Sequence, residues 1–93
     1  MRRAAKVDNN QTEIVKLLRS IPGMSVAVGH DDIFVGYKGK NYWYELKKPE
    51  SVSKKTGHIL ESAKKDSQKR LEREWKGHYR IVHSADQILN EIL

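Results

Sequence analysis

The sequence predicts a single α/β domain in which a mixed four-stranded sheet is flanked by helices, in the order α-β-β-β-α-β-α. Apolar residues repeat at helical spacing near both ends of the chain. Three strand-like segments follow one another in the first half, and a helix-forming segment separates them from a fourth. A chain of 93 residues has room for one such domain, so we treat 1–93 as that domain and 1–8 as a loose basic arm.

The first helix is predicted from Asn10 to about Ser20. Asn10 followed three residues later by Glu13 has the form of an N-cap signal, and Pro22 stops the helical run. The apolar residues that share one face are Ile14, Leu17, Leu18 and Ile21. Glu13 lies near the edge of this stripe, so it either stabilises the helix N-terminus or faces the sheet.

Three strands are expected next. Met24–Val28 alternates apolar and small residues, and Ile33–Tyr37 and Tyr42–Leu46 are rich in aromatic and β-branched residues. The polar segment 38–41 supplies turn chemistry, so the second and third strands should form an antiparallel hairpin. Both faces of this hairpin carry apolar side chains, and we therefore expect helices to cover the sheet on both sides.

Three ionisable side chains are expected to meet on the hairpin. Glu45 and Lys47 point to the same face because side chains alternate along a strand, and the turn brings Asp32 back beside them. Two neighbouring carboxylates repel unless a cation lies between them. The pattern therefore predicts a divalent ion with oxygen ligands, Mg²⁺ or Mn²⁺. The alternative is a salt bridge between Glu45 and Lys47 with no further role.

The segment after the hairpin is predicted as a polar loop followed by a helix from Glu61 to Lys76, which contains no proline or internal glycine. Gln68, Leu71 and Trp75 should share the apolar face of this helix. Cationic and hydroxyl side chains beside a strand end suit phosphate contacts, although a solvated loop and helix surface would show the same pattern. The candidates for nucleic-acid binding are Lys48, Ser53, Lys54, Lys55, Lys64, Lys65 and Lys69.

The chain is predicted to end in a short strand, Tyr79–His83, and a final helix. Ser84 to Gln87 has the form of a capping box. The apolar stripe that follows consists of Ile88, Leu89, Ile92 and Leu93. It packs either on the sheet or against a second copy of the chain.

Composition narrows the classes of function. Lys and Arg number 18 against 12 Asp and Glu, and the net charge of +6 favours a polyanionic partner, with nucleic acid as the leading candidate. The chain has no cysteine, and its four histidines lack metal-ligand spacing, which argues against disulfides and zinc. The sequence contains no glycine-rich phosphate loop, so no organic cofactor is expected. No apolar run approaches the length of a membrane span. We therefore expect a cytoplasmic protein.

These motifs resemble the VRR-Nuc branch of the PD-(D/E)XK nuclease superfamily. Gly29-x-x-Asp32, then Glu45-Leu46-Lys47, then a helix carrying Gln68 occur in the order of that family. Proline usually precedes the aspartate in the family, whereas Asp31 occupies that position here. Asp31 is therefore an alternative ligand, although Asp32 fits the strand register better. The resemblance covers about 10–93.

The resemblance implies a restriction-endonuclease-like core and a Mg²⁺- or Mn²⁺-dependent endodeoxyribonuclease. Asp32, Glu45 and the main-chain carbonyl of Leu46 would hold the metal, and Lys47 would orient or help to deprotonate the attacking water. Gln68 would position water, the lysine or the scissile phosphate. A glutamate on the first helix contacts the metal or its water in many relatives, and this is the second interpretation of Glu13.

The resemblance also bears on partners. Small stand-alone members resemble phage-type replication and repair nucleases that act as homodimers on branched, flap or four-way DNA, in the host cytoplasm if phage-encoded. Two rival classes remain: a non-catalytic basic DNA-binding dimer module, and a structural or regulatory partner in a larger phage machine. Replacing Glu45 separates the first rival from a nuclease, since DNA binding without catalysis does not need that carboxylate.

Overall fold

The computed structural model describes residues 9–93, and the predicted basic arm at 1–8 lies outside the described residues. The described chain contains helices α1 (Asn9–Arg19), α2 (Asp66–Glu74) and α3 (Ala85–Ile92), and strands β1 (Met24–Val28), β2 (Asp32–Tyr37), β3 (Lys40–Leu46) and β4 (Tyr79–Val82). The α/β class and the predicted order of elements are thus confirmed.

The four strands form one sheet with the spatial order β1-β2-β3-β4. β1 pairs antiparallel with β2, and β2 pairs antiparallel with β3. β3 and β4 are parallel, and the segment containing α2 connects them. The sheet is therefore mixed, as predicted.

One face of the sheet carries the hydrophobic core, and we call it the core face. Side chains from β2, β3 and β4 point to it, and α1 and α3 cover it. Its fully buried members include Ile33, Val35, Tyr44, Val82, Leu18 of α1 and Ile88 of α3. Leu93, the last residue of the predicted terminal stripe, is 69% exposed and does not belong to this core.

α1 differs from the prediction in two details. Asn10 lies inside the helix rather than at its N-cap, and its side-chain amide donates to the main-chain oxygens of Lys47 (2.8 Å) and His83 (3.4 Å). This side chain therefore ties α1 to the ends of β3 and β4. Leu17 is 46% exposed, whereas Val15 is buried, so the apolar stripe of α1 is rotated from the predicted one.

The other face of the sheet, which we call the open face, is covered only in part. Asp32, Phe34, Trp43 and Glu45 point to it, since they alternate with the core-face residues of the same strands. α2 packs on this side against β4. Phe34 remains 44% exposed, so the expectation that helices cover both faces is correct only for the part beside β4.

The connection between β3 and α2 is less helical than predicted. Short 3₁₀ turns occur at Pro49–Ser51 and Glu61–Ala63, and a bridge pairs Val52 with Ile59. The prediction of a helix from Glu61 to Lys76 is wrong at both ends because Lys64, Lys65 and Trp75 have extended backbones. The regular helix therefore occupies only Asp66–Glu74.

The final helix begins at the predicted capping box. Ser84 Oγ accepts a hydrogen bond from the main-chain N–H of Gln87 (3.3 Å), and the Gln87 side chain accepts one from the N–H of His83 (2.7 Å). Within residues 9–93, no helix has the length and apolar character needed to cross a membrane.

Candidate metal and nucleic-acid site

The hairpin places two carboxylates opposite each other. Lys38 and Gly39 form its two-residue turn with φ angles of 51° and 80°, the conformation that suits the twist of paired strands. Counting back from the turn pairs Asp32 with Glu45 across β2 and β3. Directly opposed side chains point to the same face, so the predicted meeting of the two acids is confirmed.

Glu45 is the least compensated carboxylate of the site. Its side chain is buried, with 7% exposure, and its Oε2 atom has no hydrogen-bond partner among the described residues. Burial raises the pKa of Glu45 from 4.5 to about 7; Lys47 opposes this shift, while Asp31 and Asp32 add to it. The nearby ammonium groups therefore do not restore an ordinary acidity.

Asp32 is held in place by two neighbours. The indole Nε1–H of Trp43 donates to Asp32 Oδ2 (2.9 Å), and the main-chain N–H of Gly29 donates to the Asp32 main-chain oxygen (2.8 Å). A Cβ atom at Gly29 would overlap Asp32 Oδ1. Glycine at this position of the predicted motif therefore leaves room for the carboxylate.

Asp31 is placed differently from Asp32. Its carboxylate is 44% exposed and lies 3.1 Å from Nδ1 of His30, whose own side chain is 95% exposed. Its main-chain oxygen accepts a hydrogen bond from the N–H of Leu46 (3.0 Å). The register therefore favours Asp32 as the partner of Glu45, while the charge of Asp31 still acts on the same carboxyl group.

Leu46 and Lys47 end β3 beside the two acids. Because the N–H of Leu46 bonds to the residue before Asp32, the main chain of Leu46 lies against that end of β2. The N–H of Lys47 donates to the main-chain oxygen of Val82 (2.8 Å), which fixes the backbone at the lysine. Lys47 is half-buried and close enough to Glu45 to oppose its pKa shift. The Asp32, Glu45 and Lys47 group predicted from the sequence is thus brought together.

Gln68 is buried, as predicted, and has an identifiable structural role. Its Oε1 atom accepts a hydrogen bond from the main-chain N–H of Lys65 (3.0 Å) at the start of α2. The acceptor oxygen of this amide is therefore used to cap its own helix. Lys65 itself acts electrostatically on Glu45, so the start of α2 lies near the acids.

Glu13 is not brought to the two acids. It is exposed on α1, and in the described part of the chain no group of three or more His, Asp or Glu side chains is placed to hold a metal ion. A metal site here would need two carboxylates completed by main-chain oxygens and water. Asn10, rather than Glu13, is the α1 residue that contacts the end of β3.

The candidate phosphate-binding residues fall into two groups. Lys64 Nζ lies 3.0 Å from Glu61 Oε2 and 3.1 Å from Glu72 Oε1, so its charge is already paired. Ser53 Oγ accepts from the main-chain N–H groups of Lys55 and Thr56 and so shapes its loop. The remaining candidates are at least partly exposed: Lys48, Lys54, Lys55, Lys65 and Lys69.

Tyr79 and Trp43 also lie at the candidate site, although no sequence pattern indicates them. The hydroxyl of Tyr79 is buried and has no partner among residues 9–93. Burial raises its pKa, and the charges of Glu45, Glu72 and Asp32 add to the shift, which places this hydroxyl near the acids. Parallel pairing of Trp43 with Tyr79 brings both rings to the open face, and only that register reveals them.

The arrangement fits a small hard cation chemically. Two opposed carboxylates, one of them buried with a free oxygen, offer the negative oxygen ligands that Mg²⁺ and Mn²⁺ prefer. Beside them lie the half-buried Lys47 and the buried hydroxyl of Tyr79. No family model, curated protein or solved structure matches the chain, so these residues and the fold carry the functional argument.

Proposed function

We propose that this protein is a metal-dependent DNA endonuclease that hydrolyses phosphodiester bonds, the function implied by its resemblance to the VRR-Nuc family of PD-(D/E)XK nucleases. One observation carries the proposal. Glu45 is a buried carboxylate directly opposite Asp32, and its Oε2 atom has no partner among the described residues. Burying an uncompensated charge is costly, and a bound cation would compensate it.

Each residue of the site would have a separate role in hydrolysis. Asp32, Glu45 and the main-chain carbonyl of Leu46 would hold one or two Mg²⁺ or Mn²⁺ ions. When bound, such an ion neutralises charge on the scissile phosphate and makes a water nucleophilic at neutral pH. Lys47 would orient that water and stabilise the negative charge that develops on the phosphate. The Tyr79 hydroxyl would donate a hydrogen bond to a water beside Glu45.

DNA is the proposed substrate because a polyanionic partner suits the positive charge of the chain. The net charge of +6 and the exposed lysines of the 48–65 connection supply the electrostatic attraction. Branched, flap and four-way DNA are the substrates that the family resemblance favours. A homodimer belongs to the same proposal, since two symmetric sites suit paired cuts in a branched molecule.

The proposal is tested by cleavage of end-labelled linear, flap and four-way DNA with Mg²⁺, Mn²⁺ or EDTA. Asp32→Asn, Glu45→Gln and Lys47→Ala should each lower metal-dependent cleavage about 100-fold or more, because each removes a group that acts on the reacting phosphate. Asp86→Asn and Lys16→Ala are the matched controls, since both residues are exposed on the helices that cover the core face. Both controls should retain most of the activity.

The same assay decides between the classes of function. If the wild-type protein binds DNA and cuts none of the substrates with either metal, the non-catalytic DNA-binding module replaces the nuclease. If it neither binds DNA with a steep salt dependence nor binds Mn²⁺, the structural-partner class replaces both. If Asp31→Asn is inactive while Asp32→Asn is active, the ligand assignment moves to Asp31.

A further inference from the structure

Three aromatic rings form a surface on the open face, and we call Phe34, Trp43 and Trp75 the aromatic platform. The rings of Phe34 and Trp43 are stacked, with centroids 5.3 Å apart and planes 15° apart. The ring of Trp75 meets Trp43 edge-on, with centroids 5.2 Å apart and an angle of 81°. Phe34 is 44% exposed and Trp75 is 52% exposed, so the outer members of the cluster present ring surface to solvent.

The platform is attached to the candidate metal site. The indole N–H of Trp43 donates to Asp32 Oδ2 (2.9 Å), and Trp43 and Glu45 point to the same face of β3. A group that packs on the exposed rings therefore lies beside the two carboxylates.

The rings are held in position without a ligand. Phe34 and Trp43 are opposed across the β2–β3 ladder, and Tyr79 packs edge-on against Trp43 from β4, with centroids 4.7 Å apart. The main-chain N–H of Trp75 donates to the oxygen of Leu71, which fixes the backbone at the end of α2. A preformed aromatic surface binds flat ligands with little loss of conformational entropy.

Charge decides which ligand suits this surface. Lys47 and Lys65 both act on the neighbouring Glu45, so cationic groups border the rings as well as acids. With a net charge of +6, the chain favours a ligand that is negative overall and carries flat aromatic faces. Single-stranded nucleic acid combines both properties, whereas the bases of a continuous duplex are already stacked on one another.

We infer that the aromatic platform stacks unpaired bases of a DNA strand next to the carboxylates, so that the bound DNA has a single-stranded segment at the site. That the stacked strand is also the one cut rests on the proposed nuclease function. The stacking itself does not. A second copy of the chain is the competing occupant of these rings, and the test below distinguishes it.

Intrinsic fluorescence provides the test, because both tryptophans of the chain belong to the platform. The protein is titrated in EDTA with a short oligothymidylate and, separately, with an abasic strand that has the same number of phosphates. Oligothymidylate should quench the fluorescence and bind about 5- to 150-fold more tightly than the abasic strand, since stacking strengthens binding by that factor per base. Equal affinities for the two strands would overturn the inference.

Variants locate the effect. Trp75→Ala and Phe34→Ala should each lower the affinity for oligothymidylate while leaving the affinity for the abasic strand unchanged. Val28→Ala is the matched control, since Val28 is 49% exposed and lines a groove with α1 residues on the other face. Unchanged oligothymidylate affinity in both folded platform variants would overturn the inference. A wild-type dimer in sedimentation that becomes monomeric in Trp75→Ala would overturn it as well, because it identifies a second copy as the occupant.

The two proposals fail separately. Quenching by oligothymidylate without any metal-dependent cleavage would remove the nuclease and leave the platform. Metal-dependent cleavage of abasic and normal strands at equal rates, with equal affinities, would remove the platform and leave the nuclease.

Discussion

Two glutamates on opposite faces of the sheet differ in their hydrogen bonding, and their pKa values shift in opposite directions. Glu91 of α3 lies on the core side and accepts hydrogen bonds from the Tyr44 hydroxyl, His78 Nε2 (2.8 Å) and Arg80 Nη1 (3.2 Å). Burial favours a higher pKa for Glu91, but these hydrogen bonds outweigh it and lower the pKa. Glu45 on the open face has an oxygen without a partner in the described chain, and burial raises its pKa to about 7.

Glu91 shows that this fold can supply a partly buried carboxylate with several hydrogen-bond donors. Tyr44 and Glu45 are adjacent in β3, and alternation sends them to opposite faces. The hydroxyl of Tyr44 donates to Glu91, whereas Glu45 Oε2 receives no hydrogen bond from the described chain. The core face therefore supplies hydrogen-bond donors to its carboxylate, while the open face carries two groups, Glu45 Oε2 and the Tyr79 hydroxyl, that lack a partner in the described chain. Variants on the two faces test this division through their effects on stability.

The largest difference is expected between two neighbours in β2. Ile33 is fully buried on the core face, and Ile33→Ala should lower the free energy of unfolding by about 2–5 kcal/mol. Phe34 points to the open face and is 44% exposed, so Phe34→Ala should cost much less. Urea denaturation of both variants measures the comparison. Equal losses would show that the two faces do not differ in the way described.

The second prediction concerns pH without metal. Since the pKa of Glu45 is raised in the folded state from 4.5 to about 7, the native protein binds the proton more tightly than the unfolded chain. The contribution to stability is full below pH 4.5 and is lost as the pH rises through about 7. Its size is about 3 kcal/mol. Urea midpoints measured in EDTA across this range should fall accordingly.

Glu45→Gln supplies the control for this pH dependence. The neutral amide cannot ionise, so the variant should lack the decline and be more stable than the wild type above the raised pKa. A variant that is less stable than the wild type in mildly alkaline buffer would contradict the description of Glu45. It would mean that the ionised carboxylate has a stabilising partner in the folded protein.

Glu91 should change the stability with pH in the direction opposite to Glu45. The pKa of Glu91 is lowered, so its contribution is present above the pKa of the unfolded chain and is lost as the pH falls through the folded value. Tyr44→Phe removes one donor and should cost about 1–2 kcal/mol near neutral pH. The loss should shrink in acid, where Glu91 is protonated. Urea midpoints of the variant and wild type at both pH values provide the measurement, and a loss that grows in acid would contradict it.

The smallest effect on stability is expected at Gly29. In Gly29→Ala the new Cβ displaces the carboxylate of Asp32 rather than the backbone and disturbs its hydrogen bond from Trp43, so the loss should be about 1 kcal/mol. Mn²⁺ affinity should nevertheless fall about 10-fold, because that carboxylate is a proposed ligand. Gly36→Ala is the control, since its Cβ would meet Asn41 Oδ1 at an ordinary 3.6 Å. Equal Mn²⁺ affinities in the two variants would remove Asp32 from the site.

Local patterns explain what the sequence could predict. The alternation of β2 and β3 suffices to predict that Asp32, Glu45 and Lys47 share a face. The turn is shorter than the predicted 38–41, and its two residues, Lys38 and Gly39, set the register that pairs Asp32 with Glu45. The capping box at Ser84 is equally local. Such features depend on residues close in the chain, so a pattern can reveal them.

The remaining features depend on contacts between distant segments. Glu61 to Lys65 has helical composition, yet Lys64 adopts an extended backbone and pairs with Glu72 eight residues on. The hydrogen bond from Trp43 to Asp32, and the position of Tyr79 near the acids, arise only when β3 pairs with both of its neighbours. Propensity carries no information on these pairings, and tertiary contacts override it.

We propose that the open face holds Glu45 for a cation, and calorimetric titration with Mn²⁺ near neutral pH tests this role most directly. Experiments in buffers with different ionisation enthalpies give the number of protons released on binding. With a Glu45 pKa of about 7, the wild type should bind Mn²⁺ and release about half a proton, because the ion binds only the ionised carboxylate. Glu45→Gln should bind more weakly and release none. No binding by the wild type, or the same affinity and proton release in Glu45→Gln, would contradict the claim.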